Sequence, residues 1–206
     1  MTGPAHPTPR TPPTNATVYE LAILGVLADA PMHGYELRKR LTVTLGAVRA
    51  LSFGSLYPAL RRLEQAGQIA VQEPPVDPDA VPLSSRRSRV TYRITAEGKE
   101  RLADLLGDSG PQSWSDEGFL LHLAFFPRTD ADARIRILEG RRRRVEERRE
   151  GLRAAMSRAA ERLDHYTLQL HELGVEATDR EVRWLNELIA TEQAGQADRL
   201  PGSSES

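Results

Sequence analysis

The sequence predicts a mainly α-helical protein that carries a small two-stranded β hairpin and is divided into two domains. Apolar residues recur at spacings of three and four through most of the chain, as on the buried face of an amphipathic helix. The segments 69–73 and 89–95 resemble short strands, and in the second Val90, Tyr92 and Ile94 alternate with polar residues. The first half is basic and the second acidic, which indicates two parts with different partners.

Composition limits the classes of function. The chain has 206 residues, no cysteine and a formal net charge of −1. Disulfides, thiolate catalysis and cysteine-based zinc sites are therefore excluded. No apolar run approaches the ~18 residues of a membrane helix, and the N-terminus lacks a signal-peptide pattern. We expect a cytoplasmic protein with no membrane partner.

The charge is unevenly distributed along the chain. Residues 1–101 hold 13 Lys or Arg against 9 Asp or Glu, a balance of +4, and residues 102–206 hold 15 against 20, a balance of −5. Basic residues also cluster at 38–40, at 61–62 and between 86 and 93. Solvated helix faces explain one such cluster more easily than three in a small domain, so the basic half indicates a nucleic-acid partner.

Proline and glycine residues, which end helices, divide the basic half into elements. Residues 1–15 contain five prolines and little to bury, which is typical of a disordered leader, so we begin the first domain at residue 16 and end it at 106. A strongly apolar helix is predicted from Thr17 until Pro31 closes it. A second helix is predicted over residues 33–46, with Gly46 as its stop.

The third helix lies in SFGSLYPALRRLEQAG, residues 52–67. Leu56, Leu60 and Leu63 recur at spacings of four and three and must face the core. A proline is tolerated only in the first helical turn, which favours Ser55 as the N-cap and Pro58 as the third helical residue, with Ser52 as a competing cap. The face left exposed comprises Ser55, Tyr57, Pro58, Arg61, Arg62 and Gln65.

Such a face suits the major groove of DNA. Free N–H groups, hydroxyls and guanidiniums at a helix N-terminus can hold phosphates and reach base edges. A surface helix of a small helical domain is an equally good interpretation of this segment alone. Three helices followed by a hairpin with nearby arginines, however, are the arrangement of a winged helix-turn-helix.

The same residues resemble a known family. LAILGVLADAPMHGYELRKRL, SFGSLYPALRRLEQAGQI and YRITAEGKERL are similar to the PadR family of bacterial transcriptional regulators over residues 17–106. In that family the H-G-Y-E-L and L-Y-P-A-L-x-R-L-E runs mark the second and third helices, and a T-x-x-G run, here 95–98, opens the helix after the wing. Two departures are Phe53, where a proline is usual, and a longer, proline-rich wing loop.

We expect double-stranded DNA to be bound by the second helix, the third helix and the wing. Side chains of the two helices would hold phosphates or touch bases, and wing arginines would approach the minor groove. The predicted contacts are His33, Tyr35, Lys39, Ser55, Tyr57, Pro58, Arg61, Arg62, Arg86, Arg87 and Arg89.

The acidic half, residues 107–197, is predicted to be a helical, coiled-coil-like dimerisation domain followed by a disordered tail over 198–206. An apolar helix capped by Ser113 or Ser115 ends at Pro127. From about 129 to 173 the chain has neither proline nor turn cluster, and its apolar residues keep a three-four alternation typical of a heptad seam. The seam predicted to pair two copies includes Leu138, Val145, Leu152, Met156, Leu163, Tyr166 and Leu170.

Two features qualify this seam. Arg142 and Arg149 occupy seam positions, where they must be splayed, exposed or met by carboxylates of a neighbour. The alternative is a helix packed only within its own chain, which we disfavour because 45 residues span about 65 Å. A final helix over residues 179–193 folds back or swaps onto a partner. The long C-terminal part of similar PadR regulators serves dimerisation, which the resemblance therefore implies.

Nothing in the sequence indicates catalysis, a metal or another cofactor. The five histidines do not form a ligand pair, and no nucleophile elbow, zincin motif or phosphate loop occurs. We expect His33 to start a helix near phosphate and His122 to lie in a core or interface. We therefore expect a protein that is not an enzyme.

The aromatic residues of the acidic half suggest a small-molecule site. Some PadR relatives bind phenolic or drug-like compounds, and flat aromatic rings line such sites, although aromatics on apolar helices more often form the core. The candidate effector pocket comprises Trp114, Phe119, His122, Phe126 and Trp184.

The function these observations favour is that of a homodimeric, sequence-specific transcription factor, most simply a repressor. Two recognition helices related by a two-fold axis would read a pseudo-palindrome with half-sites ~10 bp apart or a multiple of it. The alternative is a protein-interaction module, in which the winged-helix body no longer touches DNA and the C-terminal helices recruit a protein partner.

Overall fold

The computed structural model describes residues 15–46, 55–72, 90–159 and 164–197. The chain divides after Leu105 into two compact units. The predicted disordered leader falls almost wholly before the described residues, and the predicted disordered tail lies outside them.

The first unit is built from four helices and three short strands within the described ranges. They are α1 (Asn15–Leu27), β1 (Met32–His33), α2 (Gly34–Leu45), α3 (Leu56–Gln65), β2 (Ile69–Gln72), β3 (Thr91–Ile94) and α4 (Ala96–Gly107). Helix α1 is apolar on almost every side, and Leu21, Ile23 and Leu24 are buried completely or nearly so. It therefore forms the centre of this unit's core.

The sheet has one strand more than predicted. All pairs are antiparallel in the order β1-β3-β2, with Met32 opposite Tyr92 and Ile69 opposite Ile94. The third strand, β1, is only two residues long and lies directly before α2. A segment this short shows no alternation, so the sequence pattern could not reveal it.

The capping residues of α2 and α3 are those that the sequence predicts. Helix α2 ends at Leu45 with Gly46 as its C-cap, where φ is −56°. Helix α3 begins at Leu56 with Ser55 as its N-cap residue, but the Ser55 hydroxyl makes no capping hydrogen bond, so the role predicted for that hydroxyl is wrong. An N-cap residue usually has an extended backbone, which aims its side-chain oxygen at the free N–H groups, whereas the backbone at Ser55 is helical (φ −92°, ψ −9°). Ser52 lies outside the described residues.

A close contact joins the turn after α3 to the start of α4. Gly67 has φ +71°, and Thr95 donates its backbone N–H to the Gln68 carbonyl (3.1 Å) and its hydroxyl to the Gly67 carbonyl (2.7 Å). The same hydroxyl accepts from the N–H of Gly98 (3.1 Å). This arrangement explains the T-x-x-G run, because Thr95 caps α4 while fixing the base of the hairpin.

The second unit contains α5 (Asp116–Ala124), a 3₁₀ turn (Phe126–Arg128), α6 (Ala131–Ala159) and α7 (His165–Ala197). Ser115 caps α5 by accepting from the N–H of Gly118 (3.1 Å), which settles the choice between the two predicted caps. None of the helices in the described ranges is both long and apolar enough to cross a membrane.

The predicted continuous helix over 129–173 is wrong. The structure has two helices, and α7 runs on without interruption through the segment predicted as a separate final helix. Asp164 marks the new start, since its carboxylate accepts from the backbone N–H of Tyr166 (2.9 Å) and of Thr167 (3.0 Å). Asp is favoured at an N-cap because its carboxylate accepts from free backbone N–H groups. The heptad pattern continues across this position, so the spacing of apolar residues does not show the helix start.

Helices α6 and α7 form an antiparallel hairpin. Ion pairs show the antiparallel order, because successive arginines of α6 pair with carboxylates of decreasing residue number in α7. They are Arg134 to Glu192 (2.7 Å), Arg141 to Glu181 (2.7 Å) and Arg149 to Asp179 (3.2 Å). Carboxylates of a neighbour do therefore meet Arg149, as one of the predicted alternatives required, but the neighbour is the same chain. The buried core of this unit comprises Phe119, Phe126, Ile137, Leu138, Val145, Val182, Leu185 and Ile189.

Candidate nucleic-acid interface

Helix α3 separates its residues into a buried side and an exposed side. Leu56, Ala59, Leu60 and Leu63 are buried. The exposed side comprises Tyr57, Pro58, Arg61, Arg62 and Gln65. Ser55, which precedes the helix, is half-buried. Pro58 lies in the first turn, where backbone N–H groups have no acceptor within the helix, so the missing N–H of proline costs no helical hydrogen bond. The predicted recognition face is thus presented by a helix anchored through its opposite side.

The two arginines of this face differ in their pairing from other arginines of the same unit. No hydrogen bond or ion pair joins the guanidinium of Arg61 or Arg62 to any residue that the structure describes. In the same unit, Arg101 grips both carboxylate oxygens of Glu20 (2.8 and 3.1 Å) and Arg40 meets Asp29 at 3.2 Å. Arg61 and Arg62 are therefore available to an external anion.

Helix α2 contributes a second set of exposed groups. Tyr35 is 75 % exposed, and Lys39, one turn further on, is exposed on the same side of the helix. A Cβ at Gly34 would lie 3.5 Å from Tyr92 Cε2 and 3.8 Å from the Tyr57 hydroxyl. The first turn of α2, helix α3 and strand β3 thus come together at Gly34.

His33 lies at the start of α2, as expected for a helix-start residue. It precedes α2, and its backbone N–H donates to a carboxylate oxygen of Glu36 (3.0 Å). Its Nδ1 lies 3.3 Å from the Val90 carbonyl oxygen and 3.2 Å from the Thr91 hydroxyl. This ring nitrogen therefore ties the start of α2 to strand β3.

The predicted wing arginines Arg86, Arg87 and Arg89 lie outside the described residues. The described part of the wing is its base, formed by β2 and β3, where Arg93 is exposed. The position of the wing base beside α3 is therefore fixed by strand pairing and by the Thr95 contacts.

Tyr92, which the sequence marks only as a strand residue, lies beside helix α3 in the structure. Its phenol lies beside Tyr57, Arg61 and Glu64. Partial burial, with further contributions from Tyr57 and Glu64, raises the pKa of Tyr92 above its usual value, while Arg61 opposes the change. The alternation of β3 marks Tyr92 as inward-facing but cannot show that its hydroxyl end reaches the recognition helix.

The five aromatic residues of the candidate effector pocket all lie in the second unit. Phe119 and Trp184 meet edge to face with ring centroids 6.1 Å apart, and the Arg141 guanidinium carbon lies 5.3 Å from the Phe119 centroid. Trp114 packs on Gly140. Phe119, His122 and Phe126 are buried, whereas Trp184 is 39 % exposed. The structure thus brings two members into direct contact and places three in the packed interior.

His122 has an unusual environment. Its side chain is 6 % exposed, and its Nδ1 is buried without a hydrogen-bond partner. Burial lowers the pKa of His122 to about 4, against a smaller opposing contribution from Asp108. The imidazole is therefore neutral at physiological pH.

Comparison with known proteins identifies the domain that carries the interface. Residues 23–104 match the model of the Transcriptional regulator PadR-like family. No curated protein matches the chain. The family description agrees with the expectation that the protein is not an enzyme.

Solved structures of PadR-like regulators are similar to the chain at low identity. A PadR-like transcriptional regulator from Bacillus cereus is 20% identical, with 86% of this chain and 99% of that chain covered and a TM-score of 0.38. Bacillus subtilis PadR in complex with operator DNA is 20% identical, with coverages of 85% and 99% and a TM-score of 0.39. The same protein with p-coumaric acid is 19% identical, with coverages of 85% and 99% and a TM-score of 0.38. Residues 23–104 of the chain are therefore similar to the PadR-like family of transcriptional regulators.

Proposed function

We propose that this protein is a sequence-specific DNA-binding transcriptional regulator that acts as a homodimer, most simply as a repressor that occupies an operator. The observation that supports this best is the exposed face of α3, where Arg61 and Arg62 have no partner in the described part of the chain. A face of two free guanidiniums, a phenol and a proline, beside the base of a wing, matches what the major groove accepts. The similarity of residues 23–104 to a family of transcriptional regulators supports the same proposal.

The contacts within this proposal fall into two classes. Tyr35, Lys39 and Tyr57 hold phosphates, which fix the register of the protein on the duplex. Pro58, Arg61 and Arg62 reach base edges, thymine methyls or the adjacent backbone. The wing arginines Arg86, Arg87 and Arg89 remain part of the proposal, at the minor groove.

Dimerisation in this proposal uses the N-terminal half of α7. Tyr166, Leu170 and Leu173 are 83 %, 68 % and 58 % exposed, and their spacing of four and three places them on one stripe. An exposed apolar stripe of this kind is expected to be covered by a partner surface.

The other predicted seam residues differ in how deeply they are buried in their own chain. Leu138 and Val145 are buried within their own chain, so they support the α6–α7 hairpin and not a second copy. Leu152 and Met156 are half-buried beside the stripe, and Leu163 lies outside the described residues. The proposed dimer surface therefore shifts towards the far end of the hairpin.

A small aromatic effector is the second part of the proposal. The exposed face of Trp184, in edge contact with buried Phe119, offers an aromatic surface that a flat ring can extend. The chain has only two tryptophans, Trp114 and Trp184, so tryptophan fluorescence reports on this cluster alone. We expect saturable quenching by p-coumaric acid, corrected for its absorbance, and its loss in Trp184→Phe; a linear, unsaturable response removes these residues from an effector site.

A bacterial regulator meets its DNA in the cytoplasm, which is the location we propose. The competing function, recruitment of a protein partner by a winged-helix body that does not bind DNA, predicts a different salt response. Neutralising several phosphates makes affinity fall steeply with added salt, whereas an apolar protein interface is nearly insensitive.

The test is duplex binding across a salt series by gel shift, with DNA from upstream of the protein's own coding sequence. Arg61→Ala is compared with Arg143→Ala, which removes an exposed arginine from α6. We expect Arg61→Ala to weaken binding and to reduce the slope of log affinity against log salt by about one, while Arg143→Ala leaves both unchanged. A folded wild-type protein that binds no duplex at low salt contradicts the proposal.

A further inference from the structure

A cleft of about 230 Å³ lies between α3 and the strands of the wing base. Leu60 of α3, Val71 of β2 and Val90 before β3 supply its apolar lining. Its polar lining comes from Tyr57, Arg61 and Glu64 on α3 and from Tyr92 on β3. The cleft is thus bordered by the recognition helix on one side and by the wing on the other.

Three hydrogen-bond donors line this cleft. Among the residues that the structure describes, no partner is assigned to the hydroxyl of Tyr57, to that of Tyr92 or to the guanidinium of Arg61. Both phenol rings lie over Gly34, where a Cβ would be 3.5 Å from Tyr92 Cε2 and 3.8 Å from Tyr57 Cε1. Two free phenols and a free cation therefore converge within one small space.

The geometry of a duplex determines what faces this cleft when α3 enters the major groove. A wing beside the recognition helix reaches the neighbouring minor groove. The two grooves of DNA are separated by a sugar–phosphate backbone, so that backbone must pass between the helix and the wing. The cleft occupies this place in the protein.

We propose that the cleft between α3 and the wing base binds a backbone phosphate of DNA, and that Tyr92 is a further DNA-contacting residue that donates its phenol to that phosphate alongside Tyr57 and Arg61. The inference rests on the proposed DNA-binding function and deepens it. Tyrosine hydroxyls and arginine side chains are both common donors to phosphate oxygens.

Glu64 sets the limit of the site. It lies one turn after Arg61 towards the C-terminus of α3, and its carboxylate repels a phosphate. The phosphate is therefore held at the end of the cleft near Gly34, where the two phenols lie.

The protonation state of Tyr92 agrees with this role. Burial, and the neighbouring Tyr57 and Glu64, raise the pKa of Tyr92, so the phenol keeps its proton at physiological pH. A neutral phenol donates a hydrogen bond to phosphate without adding a charge.

The experiment compares wild-type protein, Tyr92→Phe, Arg61→Ala and Arg143→Ala for binding to a duplex of mixed sequence across a salt series. Phosphate contacts carry no sequence information, so this duplex is a valid probe before an operator is known. Arg143→Ala is the control, since it removes an exposed arginine of α6 that has no part in the proposed DNA or dimer surfaces. Thermal unfolding of each variant confirms the fold.

We expect Tyr92→Phe to weaken binding about tenfold, the effect of losing one hydrogen bond to a charged group, and to leave the salt slope unchanged because no cation is lost. Arg61→Ala is expected to reduce the slope by about one, and Arg143→Ala to bind as wild type. If Tyr92→Phe binds as tightly as wild type while Arg61→Ala is weakened, the cleft is not a phosphate site and the proposed function stands. If the folded wild-type protein does not bind DNA, both proposals are overturned.

Discussion

At the scale of single residues, the pairing of charges separates structural from functional side chains. Arg101, Arg134 and Arg141 are each held by carboxylates and stabilise contacts between elements. Arg61 and Arg62 have no such partner in the described residues and lie on the exposed side of α3. The arginine clusters of the sequence predict the second pair as functional, but pairing itself depends on the fold.

His122 makes the stability of the protein pH-dependent. Its folded-state pKa of about 4 lies below the ordinary value of 6.5, so the unfolded chain binds more protons between these two pH values. This contribution to stability is complete above pH 6.5 and is lost as the pH falls towards 4. His122→Leu keeps the approximate volume and removes the titrating group.

We expect wild type to lose stability relative to His122→Leu when the pH is lowered. The free energy of unfolding of His122→Leu minus that of wild type should increase by about 2 kcal/mol from pH 7 to pH 5. Denaturant unfolding at the two pH values measures this difference. Gln193→Leu, at an exposed position of α7 that carries no titrating group, serves as the control and should give a nearly constant difference. A pH-independent difference for His122→Leu contradicts the assignment of a buried neutral imidazole.

At the scale of elements, the first unit follows the sequence closely, and the second does not. Apolar spacing predicts α1, α2 and α3, and Pro58 identifies the first turn of α3. The heptad pattern over 129–173 is real, but it spans the end of α6 and the start of α7. Periodicity is a local property and does not show whether a helix turns back on itself, which the Asp164 cap and the pairing of Arg141 with Glu181 determine.

Gly98 tests how α4 is joined to the turn after α3. A Cβ on this residue would lie 2.0 Å from the Gln68 carbonyl oxygen and 2.8 Å from Ile94 Cγ1. The first of these atoms is backbone and is held by the Thr95 N–H, so it cannot move freely. Gly98→Ala therefore forces apart the base of the hairpin and α4.

We expect Gly98→Ala to lower the free energy of unfolding by about 3 kcal/mol, the upper part of the range for overpacked sites. Gly107→Ala is the matched control in the same helix, because nothing lies within 4 Å of its Cβ position. It should be neutral or stabilising by less than about 1 kcal/mol. Thermal or denaturant unfolding of the two variants gives the comparison, and equal stabilities refute the described contact.

At the scale of the whole molecule, the sequence predicts a second copy, and the surface proposed to bind it is the exposed stripe of α7. Leu170 is 68 % exposed on the α7 stripe, so a charge there costs the monomer little and is buried in the proposed dimer. We expect the wild-type protein to sediment as two 22.9 kDa chains and Leu170→Glu to shift towards the monomer. Val43→Glu, at an exposed apolar position on α2, should remain dimeric.

Sedimentation velocity at several protein concentrations distinguishes these outcomes. A wild-type monomer at high concentration removes dimerisation from the account. A Leu170→Glu protein as dimeric as wild type places the interface elsewhere on the molecule.

The measurement that tests the central claim most directly is selection of binding sites by the wild-type protein from a pool of random-sequence duplexes. A homodimer that presents two α3 helices should enrich a two-fold symmetric motif with half-sites about 10 bp apart, or a multiple of this spacing. Arg61→Ala should enrich it poorly or not at all. A folded wild-type protein that enriches no sequence contradicts the claim that this protein recognises DNA through the exposed face of α3.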